Sequence, residues 1–192
     1  MHINYRIILA IFISLSLAVH GLRKKSLDSS GAVAAIIVGL ITFICSLRFG
    51  IILILFYYTS SKFTKLREDV KSKLEDNYSM GGQRNYIQVF ANSILATMIA
   101  LLYYVCIGED DHFIAFQSTN ITTITIPFLH IEIPTHLVSA HLLCMYISHY
   151  ACASADTWAS ELGILSRANP RLVTTLFLRE VPKGIVITNR IY

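Results

Sequence analysis

Charged side chains are scarce in this chain: only 15% of its 192 residues are Asp, Glu, Lys or Arg, against about a quarter in an ordinary soluble domain. With 54% apolar residues and a positive mean hydropathy, that shortage excludes a freestanding water-soluble domain. Cysteine is sparing too. Cys45, Cys106, Cys144 and Cys152 fall in or beside apolar segments without paired or metal-type spacing, so packing is their expected role. The sequence has no Ser-His-Asp or Cys-His arrangement to activate a nucleophile, no internal repeat and no low-complexity tract. His130, His136, His141 and His149 lie around the last apolar run, but none forms a ligand pair with a carboxylate at helical spacing. Tyr146 and Ser148 are the expected hydrogen-bond partners of His141 and His149.

What the sequence does have is five apolar runs, at about residues 5–22, 31–47, 49–64, 87–107 and 137–155. They predict an all-α, polytopic transmembrane helical bundle, a single partial transmembrane domain over residues 1–192. The third run is apolar only to about Thr59 and must borrow Ser60 to Thr64, or tilt, to cross a bilayer. The first is read as a retained helix. No small-residue cleavage site precedes Arg23-Lys24-Lys25, and a second apolar run follows at once.

Basic residues divide unevenly between the loops. Arg23, Lys24 and Lys25, then Lys62, Lys65, Arg67, Lys71, Lys73 and Arg84, then Arg167, Arg171, Arg179, Lys183 and Arg190 all fall on one side if the spans alternate. The other side keeps Arg6 and Arg48, and its large loop, residues 108–136, has Glu109, Asp110, Asp111 and Glu132 with no Lys or Arg. The positive-inside rule then sets an outer or lumenal N-terminus and a cytosolic C-terminus, in an endomembrane setting. Nucleic-acid binding is a poor reading of the net charge of +4, because the basic residues are split among three loops and mixed with Glu68, Asp69, Glu75 and Asp76. The sequon Asn120-Ile121-Thr122 lies in the outer loop and is a possible glycosylation site, whereas Asn77-Tyr78-Ser79 falls on the cytosolic side. The β-branched run Ile121 to Ile126, followed by Pro127 and Pro134, predicts a small extended outer loop.

Polar motifs converge on the cytosolic side. Asp28-Ser29-Ser30-Gly31 precedes the second helix, where capping groups and backbone N–H groups suit an anion. Gly81-Gly82-Gln83-Arg84-Asn85 repeats that arrangement before the fourth helix and adds a guanidinium. Ser60-Ser61-Lys62 ends the third helix there, and Asp156-Thr157-Trp158-Ala159-Ser160-Glu161 ends the fifth. Each has a plainer alternative: a helix cap at Asp28, a turn at Gly81-Gly82, topogenic charge at Lys24 and Lys25, a snorkelling collar from Lys62. The acids resist one. On a helix Asp156 shares a face with Ser160, and Thr157 with Glu161, while Ser148, Ala151, Cys152, Ala153, Ser154 and Ala155 are small enough for close helix contact. Carboxylates facing phosphate-binding helix starts are what a magnesium-nucleotide site requires.

Four motifs in register, Gly21-Leu22-x-Lys24-Lys25-Ser26-Leu27-Asp28-x-Ser30-Gly31-Ala32, Ser60-Ser61-Lys62-x-Thr64-Lys65, Gly81-Gly82-Gln83-Arg84-Asn85-x-x-Gln88-Val89-Phe90 and Asp156-Thr157-Trp158-Ala159-Ser160-Glu161-x-Gly163, resemble the transmembrane protein 19 family. The similarity runs from about Gly21 to Gly184. Plant members of that family are phytyl-phosphate kinases, related in activity to CTP-using polyprenol kinases. The resemblance implies phosphoryl transfer from a nucleotide, possibly CTP, to an isoprenoid monophosphate at the cytosolic interface, with the bilayer holding the apolar tail. On that reading Asp156 and Glu161 are catalytic and bind Mg²⁺. Lys24, Lys25, Ser30, Gly31, Lys62, Gly81, Gly82, Arg84 and Asn85 bind phosphate or nucleotide. Family members continue past a Val-Pro-x-Gly segment into a glycine loop and further helices, whereas Val181-Pro182-Lys183-Gly184 is followed here by eight unrelated residues. The expectation is a truncated product lacking part of the site, with catalysis by this chain alone not expected. The competing reading is a non-enzymatic transporter or structural membrane protein, in which the two acids line a polar path or pair with Arg.

Overall fold

The computed structural model describes residues 2–66, 83–108, 123–126 and 131–163, with the single positions 165, 171 and 180. Asn77, Gly81, Gly82, Asn120 and the segment around Gly184 lie outside the described residues. Among those described, the elements are five helices and one hairpin: α1 (His2–Arg23), α2 (Ser29–Cys45), α3 (Leu47–Thr64), α4 (Tyr86–Ile107), β1 (Thr123–Ile126), β2 (Ile131–Pro134) and α5 (Thr135–Gly163). The protein is a membrane helical bundle with a small extended loop. The two strands pair antiparallel with Ile124 opposite Ile133, and β2 leads directly into α5.

Local chemistry sets where the helices start and stop. At the end of α1 the Ser26 N–H donates to the Gly21 carbonyl at 2.9 Å and the Lys25 N–H to Leu22 at 3.0 Å, while Lys25 takes a left-handed φ of 54°. This is a Schellman stop with lysine where glycine is usual. Helix α2 begins at the cap Asp28 and ends before Ser46, a single extended residue joining it to α3. Helix α4 opens on a reciprocal capping box between Asn85 and Gln88 and closes at Gly108, whose φ of +85° suits glycine.

Small residues let α1 and α2 approach closely. Ala10, Ser14 and Ala18 recur every fourth position on α1 and are buried, and a Cβ added at Gly39 of α2 would sit 2.7 Å from Ser14 Oγ. The sequence reading expected such contact from the small residues of α5, of which Ala153 packs against the core and Ser154 is half-buried, whereas Ser148, Ala151, Cys152 and Ala155 are exposed. Helix α5 packs through Ser139, Leu142, Tyr146 and Tyr150, which offer more contact area than a row of alanines. Their neighbours are aromatic: the Phe49 ring stacks on Tyr146 at 4.2 Å and meets Tyr103 edge-on at 5.0 Å, and the buried Tyr146 hydroxyl donates to the Phe49 carbonyl at 3.0 Å.

Consecutive helices alternate in direction, so their ends gather at two opposite faces. At one face the Arg6 guanidinium donates to the Ile44 and Cys45 carbonyls at 3.2 and 3.3 Å, placing a cation on the negative end of the α2 dipole. That contact gives Arg6 a packing role unrelated to loop charge. Ser139 Oγ donates to the Tyr103 hydroxyl at 3.4 Å on the same side. Toward the other face, Phe63 of α3 packs on Trp158 of α5 with ring centroids 5.3 Å apart, and Lys65 Nζ donates to the Lys24 carbonyl. Helices α1 and α4 are long and apolar enough to cross a membrane by length and composition. Phe12, Met98 and Val105 are each more than 60% exposed, an outward apolar surface of the kind a bilayer covers.

Candidate functional site

The site begins with a junction between segments far apart in sequence. The strand-like residues before α2 and α4 lie side by side: the Arg84 N–H donates to the Ser26 carbonyl at 3.0 Å, and the Asp28 N–H to the Arg84 carbonyl at 3.1 Å. The Tyr86 N–H then donates to Ser30 Oγ at 3.2 Å, so two helix N-termini start together. Glycine is required at position 31, because a Cβ there would collide with the Arg84 carbonyl.

Asp28 controls the start of α2. Its Oδ1 accepts from the Gly31 N–H at 2.6 Å and from the Ser30 hydroxyl at 2.8 Å, and these bonds, the Gly31 one foremost, hold the carboxyl below its ordinary pKa. Ser30 and Gly31, expected on a phosphate, are therefore turned toward an anion the chain supplies itself. Asn85 likewise spends its side chain on the α4 cap.

Arg84 is the cation the fold positions most closely. Its half-buried guanidinium donates to Ser61 Oγ and Thr64 Oγ1, both at 3.4 Å, from the last turn of α3. Burial lowers its pKa, while Tyr57 and Glu161 favour its charged form. Long bonds to neutral hydroxyls leave a fork of five donors well short of what a bidentate oxyanion would offer.

Behind Arg84 runs a largely apolar cleft bounded by α1, α2, α3 and α4, with Ser14, Gln88, Asn92 and Ser93 among its lining. Leu27, Val89 and Gln88 lie on the Arg84 side, and Val38, Leu53 and Ser93 line it farther along their helices. A cation at one end of an apolar cleft is the arrangement that holds an anionic head and a hydrocarbon tail.

The remaining predicted residues divide. Lys24, Lys25 and Lys62 are exposed at this same end, Lys24 through its carbonyl contact with Lys65. Glu161 is half-buried and acts on Arg84 through space, whereas Asp156 is exposed. Five positions apart on a helix, the two acids point about 140° from one another. Among the described residues no group of three or more His, Cys, Asp or Glu could hold a metal. The histidines bind backbone instead of the predicted side chains, His141 Nδ1 lying 2.6 Å from the Leu137 carbonyl and His149 Nε2 2.9 Å from that of Asn92. Sequence reading missed Tyr57, Asn92 and Ser93 as site residues. The signal for Ser93 was a small hydroxyl, with Thr97 one turn on, inside an apolar run.

Fold and cleft together define a helical membrane protein with one charged end to an otherwise apolar cleft. The chain belongs to the family described as integral membrane protein DUF92, which it matches over residues 12–186. It is similar to Protein PGR of Arabidopsis thaliana, 37% identical over 181 residues that make up 94% of this chain and 56% of that protein. It is also similar to an uncharacterized membrane protein of Methanocaldococcus jannaschii, 27% identical over 172 residues, 88% of this chain and 57% of that one. The chain thus spans just over half the length of these relatives. No solved structure matches.

Proposed function

We propose that this chain carries the acceptor-binding part of a membrane phosphotransferase that acts on an isoprenoid monophosphate. The observation that supports it is Arg84, held by two zipped helix starts at the mouth of an apolar cleft. The resemblance to phytyl-phosphate kinases supplies the substrate class. In this reading the guanidinium, with the Ser61 hydroxyl, holds the acceptor phosphate, and Lys24, Lys25 and Lys62 lower the charge around it. A terminal oxygen of the prenyl phosphate attacks the γ-phosphorus of a nucleotide such as CTP, the bond to the β-phosphate oxygen breaks, and the nucleoside diphosphate leaves. Mg²⁺ would travel with the nucleotide. Asp156 and Glu161 do not face one another, so as described they make no complete pocket for the ion, and no step here depends on it.

Topology belongs to the same proposal: the face bearing Lys24, Lys62 and Arg84 is cytosolic, where nucleotide is available, and the N-terminus is lumenal in an endomembrane.

The test uses membranes expressing a full-length relative, supplied with labelled CTP and a prenyl monophosphate, with the residue matching Arg84 as the position varied. Nucleotide-dependent prenyl diphosphate is expected, falling about a hundredfold or more in Arg84→Met at equal protein level, in the range of losing one charge-stabilising donor. Product formation unaffected by Arg84→Met, or no product from the full-length relative, would refute the proposal.

A further inference from the structure

Helices α1 and α3 meet near the Arg84 end of the bundle. The His20 and Tyr58 rings lie 5.9 Å apart, a Cβ added at Gly21 would sit 2.8 Å from the Tyr57 hydroxyl, and Lys65 Nζ donates to the Lys24 carbonyl. One turn farther from that end stand Leu17, three positions before His20, and Ile54, four before Tyr58. Each shares a helix side with the residue that makes the ring contact, yet both line the cleft and both are only half-buried. Helix α1 packs along α2, and α3 along α2 and α5, but among the described residues no such seam joins α1 to α3. The wall across the cleft differs. Val38 and Gly39 of α2 and Ser93 of α4 line it and are buried.

We propose that this gap opens the cleft sideways to the bilayer: an anionic lipid slides in between Leu17 and Ile54 until its head meets Arg84, and the rest of its tail stays in the membrane. For the head group the inference rests on the phosphate reading of Arg84. Lipid borders the gap on both sides, since Phe12 and Leu15 of α1 and Ile51 and Leu55 of α3 are exposed apolar residues. A tail entering through the polar end would first have to leave hydrocarbon, and each methylene carried through water is penalised. Through the gap it passes from one apolar setting to another. The end of the chain then never needs to fit inside the protein, so the cleft selects the head and the first units of the tail and leaves tail length unselected.

The experiment is binding without nucleotide, so its outcome does not depend on whether transfer occurs. The full chain in nanodiscs receives a four-unit prenyl monophosphate with a photoreactive group at the tail end, and the labelled residues are mapped. Label that excess unlabelled lipid removes should fall on the sides of α1 and α3 that flank the gap, Ile13 and Ile51 among them. Specific label confined to the cluster of Phe49, Tyr103 and Tyr146 would overturn the proposal, because the tail would then run inward. Monophosphates of four and eight units, matched by mole fraction in the bilayer, should compete equally well, and a marked loss with length would also overturn it. Narrowing the gap with Leu17→Trp and Ile54→Trp together should weaken the four-unit lipid by about tenfold, the range of overpacking costs. The same variant should still bind the one-unit monophosphate, which is small enough to enter at the Arg84 end; that control separates a narrowed gap from a misfolded protein, and unchanged four-unit binding would refute the route. A prenyl alcohol that competes as well as the monophosphate would remove the phosphate reading of Arg84, while the position of the label would still judge the gap.

Discussion

Replacing Gly31 with alanine sets two effects of opposite sign against each other. Alanine is a better helix former than glycine by up to about 1 kcal/mol, so intrinsic preference in the first turn of α2 predicts a modest gain. The added Cβ, however, would occupy the space of the Arg84 carbonyl, and that atom is backbone, fixed by its own bond from the Asp28 N–H at 3.1 Å. Relief requires the Gln83–Asn85 segment to move, which stretches that bond and its companion from the Arg84 N–H to Ser26. Two such bonds are together worth about 1–3 kcal/mol. The net expectation is a loss of roughly 1–2 kcal/mol, with Arg84 displaced from the cleft mouth. The single Trp158, packed on Phe63 at the same end, reports unfolding by fluorescence during denaturant titration in micelles. Gly39→Ala provides the contrast. Its clash is with the Ser14 side chain, so Ser14→Gly should rescue it, whereas nothing short of backbone movement rescues Gly31→Ala. A Gly31→Ala protein as stable as the parent would refute the argument that the two helix starts are zipped this tightly.

Lys25 takes a left-handed backbone that costs a side-chain-bearing residue about 1–2 kcal/mol. Lys25→Gly should therefore raise the unfolding midpoint, and an unchanged or lower midpoint would mean the lysine side chain contributes more than the strain. Glycosylation mapping in microsomes should find Asn120 modified and Asn77 unmodified; modification of Asn77 would reverse the proposed orientation and take Arg84 away from cytosolic nucleotide.

The five helices were legible because lipid-facing helices need long apolar runs, which survive in composition without any knowledge of contacts. Arg84 stood out because a guanidinium beside two glycines and a helix cap is unusual next to an apolar run. Its partners were harder to find. Ser26 is 58 positions from Arg84 and Ser61 is 23 away, so neither contact leaves a local periodic signature. The close α1–α2 seam went unread, and most of the small residues of α5 expected to make close contact are exposed, for a related reason. Small residues permit close approach, but only the partner helix decides which stripe is used, and the tyrosines of α5 hold that helix by its other side. At Asp28 the cap was the plainer alternative to an anion site, and its occupation of Gly31 and Ser30 became clear only when the bond partners were known.

The aromatic cluster of Phe49, Tyr103 and Tyr146 bears on the transporter reading. Alternating access needs a path, or a hinge that makes one, from the Arg84 end to the opposite face. In this bundle the cleft reaches Ser14 and Ser93, and Leu53 in its lining packs against the cluster of Phe49, Tyr103 and Tyr146, all buried, with the Tyr146 hydroxyl tied to the Phe49 carbonyl. Beyond them Ser139 bonds to the Tyr103 hydroxyl, and Arg6 is engaged by the end of α2. Opening that half would break a stacked pair, an edge-on pair and these hydrogen bonds together, and it would leave the freed polar groups in an apolar setting. A cleft that receives a molecule from one face and returns it to the same face needs none of this. Among the described residues, the packed aromatic cluster is therefore an argument for the proposed chemistry at one membrane surface over passage between the two.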